Sequence, residues 1–103
     1  MTIKYAVAMD RGIDLDPHTL FRDIVKARAN AIAFGYNKSR NILIYEIEYD
    51  PSTSFLFAFK AQCVGHVMTH ADGSQPQWIA ADPRTKKYGT YLLNYDGKLG
   101  RRL

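Results

Sequence analysis

Three groups of residues in this chain have the types and spacing that could do chemistry. The first is Cys63-x2-His66-x3-His70, followed by Asp72. Thiolate, imidazole and carboxylate are zinc ligands, but a closed structural site needs a second ligand pair at a distance. Cys63 is the only cysteine, and His18 is the only other histidine. On a strand Cys63 faces away from His66 and His70 unless Gly65 inserts a bulge. The two histidines then share a face but stand about 13 Å apart, too far to share an ion. The group therefore reads first as two surface imidazoles and a buried thiol. A zinc site or metal-dependent enzyme at Cys63, His66 and His70 ranks as a second alternative.

The second group is Asp10, Asp14 and Asp16, just beyond an expected first strand. Carboxylates there resemble the oxygen set that holds magnesium in a nuclease. Asp10, however, is accounted for by a turn and Asp16 by a helix cap. Nucleophilic chemistry is weaker again. Cys63 is expected to be buried and inert, and Ser52, Ser54 and Ser74 fall in turns without a nucleophile elbow. Gly12 and Gly35 are isolated, so no phosphate-cradling loop is present. The chain is expected not to be an enzyme and to need no cofactor.

The third group carries the charge. Of 103 residues, 14 are Lys or Arg and 10 are Asp or Glu, a net charge of +4. Residues 1–81 are neutral, with eight of each sign, so the whole excess lies in residues 82–103. There Arg84, Lys86, Lys87, Lys98, Arg101 and Arg102 outnumber Asp82 and Asp96. Tyr88, Tyr91 and Tyr95 are interleaved with them. Cations neutralise phosphates and exposed tyrosines stack on bases, the combination used for single strands and RNA. Arg84, Lys86, Lys87, Lys98, Arg101 and Arg102 are the expected phosphate contacts, with Tyr88 the best stacking residue. The competing reading makes Tyr91, Leu93 and Tyr95 a core face, with the cations solvating an edge strand.

The elements that must position these groups follow from periodicity. Ile3, Tyr5, Val7 and Met9 alternate with Lys4, Ala6 and Ala8 as a first strand, closed by Asp10-Arg11-Gly12. Asp16 as N-cap, Pro17 in the first turn and Gly35 as C-cap predict a helix of about five turns. Leu20, Ile24, Ala27 and Ala31 form its apolar row, with Phe21, Val25 and Ile32 beside it. After residue 40 the period becomes two. Leu43, Tyr45, Ile47 and Tyr49, then Phe55, Phe57, Phe59 and Ala61, predict a hairpin turning at Asp50–Thr53. Gly65 is expected to bend the strand that continues to Ala71. Asp72-Gly73 leads into Trp78–Ala81, and Asp96-Gly97 reverses the chain after Tyr88–Tyr95. The expected fold is α+β, in one domain spanning 1–103. One long helix packs on a curved antiparallel sheet of five or six strands, in β-α-β-β-β-β order, with Tyr45, Ile47, Phe57 and Phe59 facing the helix.

A second surface is suggested by Gln62-Cys63-Val64-Gly65 and Pro76-Gln77-Trp78. A Trp beside Pro is a reasonable interface anchor. The helix-then-strands order, the glutamine segment and the Pro-Trp pair resemble the cystatin family of thiol-protease inhibitors. In that family one loop reads Q-x-V-x-G and another contains P-W. This chain is one residue short in the first motif and has one residue too many in the second. Its glutamine segment also follows the second strand after the helix rather than the first. The resemblance covers fewer than ten residues. It implies a roll architecture and a protein-binding inhibitor or regulator acting through loops at Gln62, Val64, Gly65, Pro76 and Trp78. Small size and the absence of catalytic motifs, separately, fit a regulator of the kind phages and mobile elements encode.

Composition excludes several classes. The chain is 47% hydrophobic, 23% charged and 13% aromatic, with 7 Gly and 4 Pro, unlike a disordered or collagen-like chain. No apolar run approaches the ~20 residues of a membrane span, and Met1-Thr2-Ile3-Lys4 does not open like a signal peptide. A lone cysteine excludes an internal disulfide and suits a reducing compartment. The sequence thus predicts a small cytoplasmic, non-enzymatic binding protein. Its partner is an anionic macromolecule, nucleic acid slightly favoured, with a protein partner as the alternative. No membrane contact is expected, and an edge strand offers a route to a homodimer.

Overall fold

Alternation of apolar and polar residues builds strands from both ends of the described chain. A computed structural model describes residues 2–8, 20–49, 59–82, 90–93 and 99–102. Strand β1 is Thr2–Ala8, β2 Arg40–Tyr49, β3 Phe59–Thr69, β4 Gln77–Ala80, β5 Thr90–Leu93 and β6 Leu99–Arg102. Among the described residues one helix, α1, spans Ile24–Phe34. All pairings are antiparallel.

The long strands β1, β2 and β3 form the centre, and β3 then divides between two short partners. Its first half, Phe59–Gln62, pairs with β5, and its second half, Gly65–Met68, pairs with β4. The path runs β1-β2-β3-β5-β6, with β4 off it on β3. The general α+β class holds, but the expected curved sheet of five or six strands beneath one long helix does not. The sheet on which α1 packs is four strands wide, β1-β2-β3-β4, because β5 and β6 attach at the other half of β3.

The helix is also shorter than its apolar rows predict. Phe21 exchanges two backbone hydrogen bonds of 2.7 Å with Tyr5 of β1, so the chain is extended there rather than helical. Asp23 supplies the cap instead, its carboxylate accepting from the Val25 N–H at 2.7 Å. Asp16, Pro17 and His18 lie outside the described residues. At the other end the Gly35 N–H donates to the Ala31 carbonyl at 3.0 Å, as a C-cap should. The left-handed residue is Asn37, at φ 58°. What Gly35 supplies is room: a Cβ there would strike the Thr69 side chain, so glycine lets the helix end sit on β3.

A buried apolar cluster lies on each face of the sheet. Toward α1, Ile42, Ile44 and Val67 meet Ala27 and Ala31, with Tyr5, Val7, Phe21, Ile24, Val64 and Trp78 around them. Alanine at both helix positions allows close approach, and burying each isoleucine contributes roughly 1.5–3 kcal/mol. On the opposite face Ala6, Ala8, Tyr45, Ile47, Ala61 and Cys63 cluster with Leu20 and Leu43. Tyr45 and Ile47 therefore face away from the helix, which corrects their expected side. Phe55 and Phe57 lie outside the described residues.

A bulge in β3 changes which residues share a face. Ile44 pairs with Gly65 but Tyr45 pairs with Cys63, leaving Val64 as the extra residue. Its carbonyl accepts from the Ala81 N–H at 3.0 Å, so the break in the ladder is satisfied by the end of β4.

Candidate functional site

The basic C-terminal residues fall largely beyond description: Arg84, Lys86, Lys87, Tyr88 and Lys98 lie outside the described residues. Arg101 and Arg102 belong to β6, which among the described residues pairs with β5 and ends the strand path. Through β5 this hairpin is tied to the first half of β3, with Ala61 opposite Tyr91 and Gln62 opposite Thr90. Beside it lies a recess of about 200 Å³ lined by Glu46, Glu48, Lys60 and Gln62. It forms where β2 passes from Ile42 and Ile44 under the helix to Glu46 and Glu48 beyond it.

Four of the five residues of the cystatin-like reading are strand residues, which corrects their placement in loops. Gln62, Val64 and Gly65 are inside β3, and Trp78 is inside β4. Gln62 is exposed, whereas Val64 is half-buried and Gly65 buried. Gly65 has φ +155°, and a Cβ on it would meet the Ile79 carbonyl at 2.5 Å and the Trp78 ring at 2.6 Å. Trp78 lies directly on this glycine. The Arg28 guanidinium of α1 stacks over the indole, 4.7 Å from its centroid. Glycine, indole and guanidinium thus clamp helix to sheet. Pro76, half-buried, precedes β4.

The bulge brings Cys63 and His66 to one face, since their partners Tyr45 and Leu43 share that face. Cys63 is buried, its thiol 3.4 Å from the Gly65 carbonyl. His66 is buried too, which corrects its reading as a surface imidazole. His70 lies past the end of β3, half-buried. Among the described residues no three His, Cys, Asp or Glu side chains are grouped to hold a metal ion. No described helix is long and apolar enough to cross a membrane.

One surface escaped the sequence reading. At 100° per residue, Val25, Ala29, Ile32 and Ala33 fall within an arc of about 100°, opposite Ala27 and Ala31. All four are exposed, Val25 at 64% and Ile32 at 41%. Tyr36 continues the stripe past the helix end at 73%. The helix thus has two opposed apolar stripes, only one of them buried. The exposed stripe runs into a cleft of about 200 Å³ lined by Ile32, Gly35, Tyr36, Thr69, Gly73 and Pro76, among others. Its walls are fixed by polar contacts. The Thr69 hydroxyl donates to the Lys38 carbonyl at 2.7 Å, and the Ala71 N–H donates to the Ser39 hydroxyl at 3.0 Å. Asp72 accepts from the Ser74 hydroxyl and N–H, at 2.6 and 2.9 Å, closing the turn in which Gly73 has φ +81°. These two hydrogen bonds, the hydroxyl's first, hold the Asp72 carboxyl below its ordinary value, with nearby His70 adding to them. A more open recess shares Thr69 and His70 with the cleft and adds Arg40 and Asn41. The stripe's spacing was legible, but its valine and isoleucine were assigned to the buried side.

No family model, curated protein or solved structure matches the chain.

Proposed function

We propose that the protein is a non-enzymatic binding module whose basic C-terminal hairpin takes an anionic macromolecule, with nucleic acid the favoured partner. The observation that carries this reading is the location of the charge: the whole excess of +4 lies in residues 82–103. Two features of the fold support it. Strand β6, with Arg101 and Arg102, ends the strand path, and an edge leaves backbone N–H groups for phosphate oxygens. The second is the recess beside the hairpin, where Lys60 lies across the ladder from Glu48 and shares its walls with Glu46, so this face is acidic on balance. Glu46 and Glu48 repel phosphate from the adjoining sheet face, so the anion follows the outer side of the hairpin. Lys86, Lys87, Arg84 and Lys98 add phosphate contacts in this reading, and Tyr88 stacks on an unpaired base.

The test is fluorescence anisotropy with labelled single-stranded and duplex DNA and RNA. Wild type is compared with a variant carrying Lys86, Lys87, Arg101 and Arg102 all changed to Ala. Micromolar or tighter binding that collapses in the variant is expected. Equal binding by both proteins, or none by wild type at low salt, contradicts the reading.

A further inference from the structure

We infer that the exposed face of α1, together with the cleft at its C-terminal end, docks an acidic amphipathic helical segment of a partner protein. This surface is separate from the C-terminal hairpin. The helix that bears the stripe packs on β1, β2 and the half of β3 that pairs with β4, whereas the hairpin attaches to the other half of β3.

Shape argues for a helix. Val25, Ile32 and Tyr36 project as ridges, and Ala29 and Ala33 leave hollows between them that accept side chains from a facing helix. Those same alanines give a membrane little to hold, since interfacial helices rely on large apolar residues. The cleft completes the fit. At about 200 Å³ it is smaller than the ~300–1,000 Å³ of small-molecule sites and suits one large apolar side chain. Its position next to Ile32 and Tyr36 makes it the anchor pocket of the stripe.

Charge selects the partner. From Leu20 to Arg40 the chain carries Arg22, Lys26, Arg28, Lys38 and Arg40 against Asp23 alone. Arg22, Lys26 and Lys38 are exposed along the stripe, and Arg40 lines the recess beside the cleft. Acidic flanks on the docking helix complement these cations. A second copy of α1 does not, because self-pairing sets the same cations against one another.

The test uses a fluorescein-labelled synthetic helix with Leu at helical spacing, one central Phe and Glu at its flanks. A matched peptide has Lys in place of Glu. The acidic peptide is expected to bind at least about tenfold more tightly than the basic one. Ile32→Asp, at an exposed site, weakens it about tenfold with an unchanged circular dichroism spectrum. Replacing the peptide's Phe by Ala weakens it by a similar factor. Arg22→Glu with Lys26→Glu reverses the preference between the two peptides. The Lys86, Lys87, Arg101, Arg102→Ala variant keeps full affinity for the acidic peptide, whether or not nucleic acid binds. Four results overturn the inference: no preference between peptides, no effect of Ile32→Asp, binding only to phosphatidylserine vesicles, or a wild-type dimer that Ile32→Asp dissociates. Loss of peptide binding in the C-terminal variant also overturns it, since the peptide would then be held by the hairpin.

Discussion

Gly65 shows how much one missing Cβ decides. It is the contact point between β3 and Trp78, and its φ of +155° is one that other residues rarely adopt. Gly65→Ala combines backbone strain with overpacking and is expected to cost about 3 kcal/mol. Gly73 also has positive φ, at +81°, but nothing lies within 4 Å of where its Cβ would be. Gly73→Ala should therefore cost only about 1–2 kcal/mol, the conformational part alone. Urea midpoints at constant m separate the two. Asp72 gives a residue-scale prediction in pH. Its folded carboxyl is held below the ordinary 3.8 by Ser74. The contribution of that contact is therefore present above 3.8 and is lost as pH falls through the lower folded value. The Ser74 amide resonance should stay unchanged from neutral pH down to that window and move only below it. A midpoint above 3.8 would contradict the assignment.

At the scale of elements, periodicity revealed more than end signals did. The strands at residues 2–8, 40–49 and 77–80, the bend at Gly65 and the turn at Asp72-Gly73 were legible because alternation and turn chemistry are local. The helix start was not. Asp16-Pro17 and Asp23 are both plausible caps, and the choice rests on Phe21 bonding to Tyr5, a contact between residues far apart in sequence. Asp23→Ala should cost about 1 kcal/mol if Asp23 is the cap, and no change in stability would contradict that role. The inward face of β2 was also misread. Its two faces are almost equally apolar, Ile42 and Ile44 against Leu43, Tyr45 and Ile47, so alternation alone could not say which met the helix. Arg28→Ala tests the clamp between elements. As the only tryptophan, Trp78 reports on it, and its emission should shift to the red with a loss of about 0.5–1 kcal/mol.

At the scale of the whole molecule, charge was legible but only in part. Summing over residues 1–81 gave zero and hid a basic segment at Leu20–Arg40, balanced by acids elsewhere. The fold separates what the sum merged: a basic helix at one half of β3 and a hairpin ending in Arg101 and Arg102 at the other. Spacing around Cys63, His66 and His70 was legible only as a set of alternatives. The bulge named as a condition at Gly65 does turn Cys63 and His66 to one buried face, while His70 lies past the end of β3, which spacing alone did not place.

The most direct measurement is the salt dependence of nucleic-acid affinity, with the dissociation constant taken between 50 and 200 mM salt. Each phosphate contact adds about 0.7–0.9 to the slope of log affinity against log salt, so removing Lys86, Lys87, Arg101 and Arg102 should flatten it by about 3. Affinity that is independent of salt, or a slope identical in wild type and variant, would contradict phosphate recognition by the C-terminal hairpin.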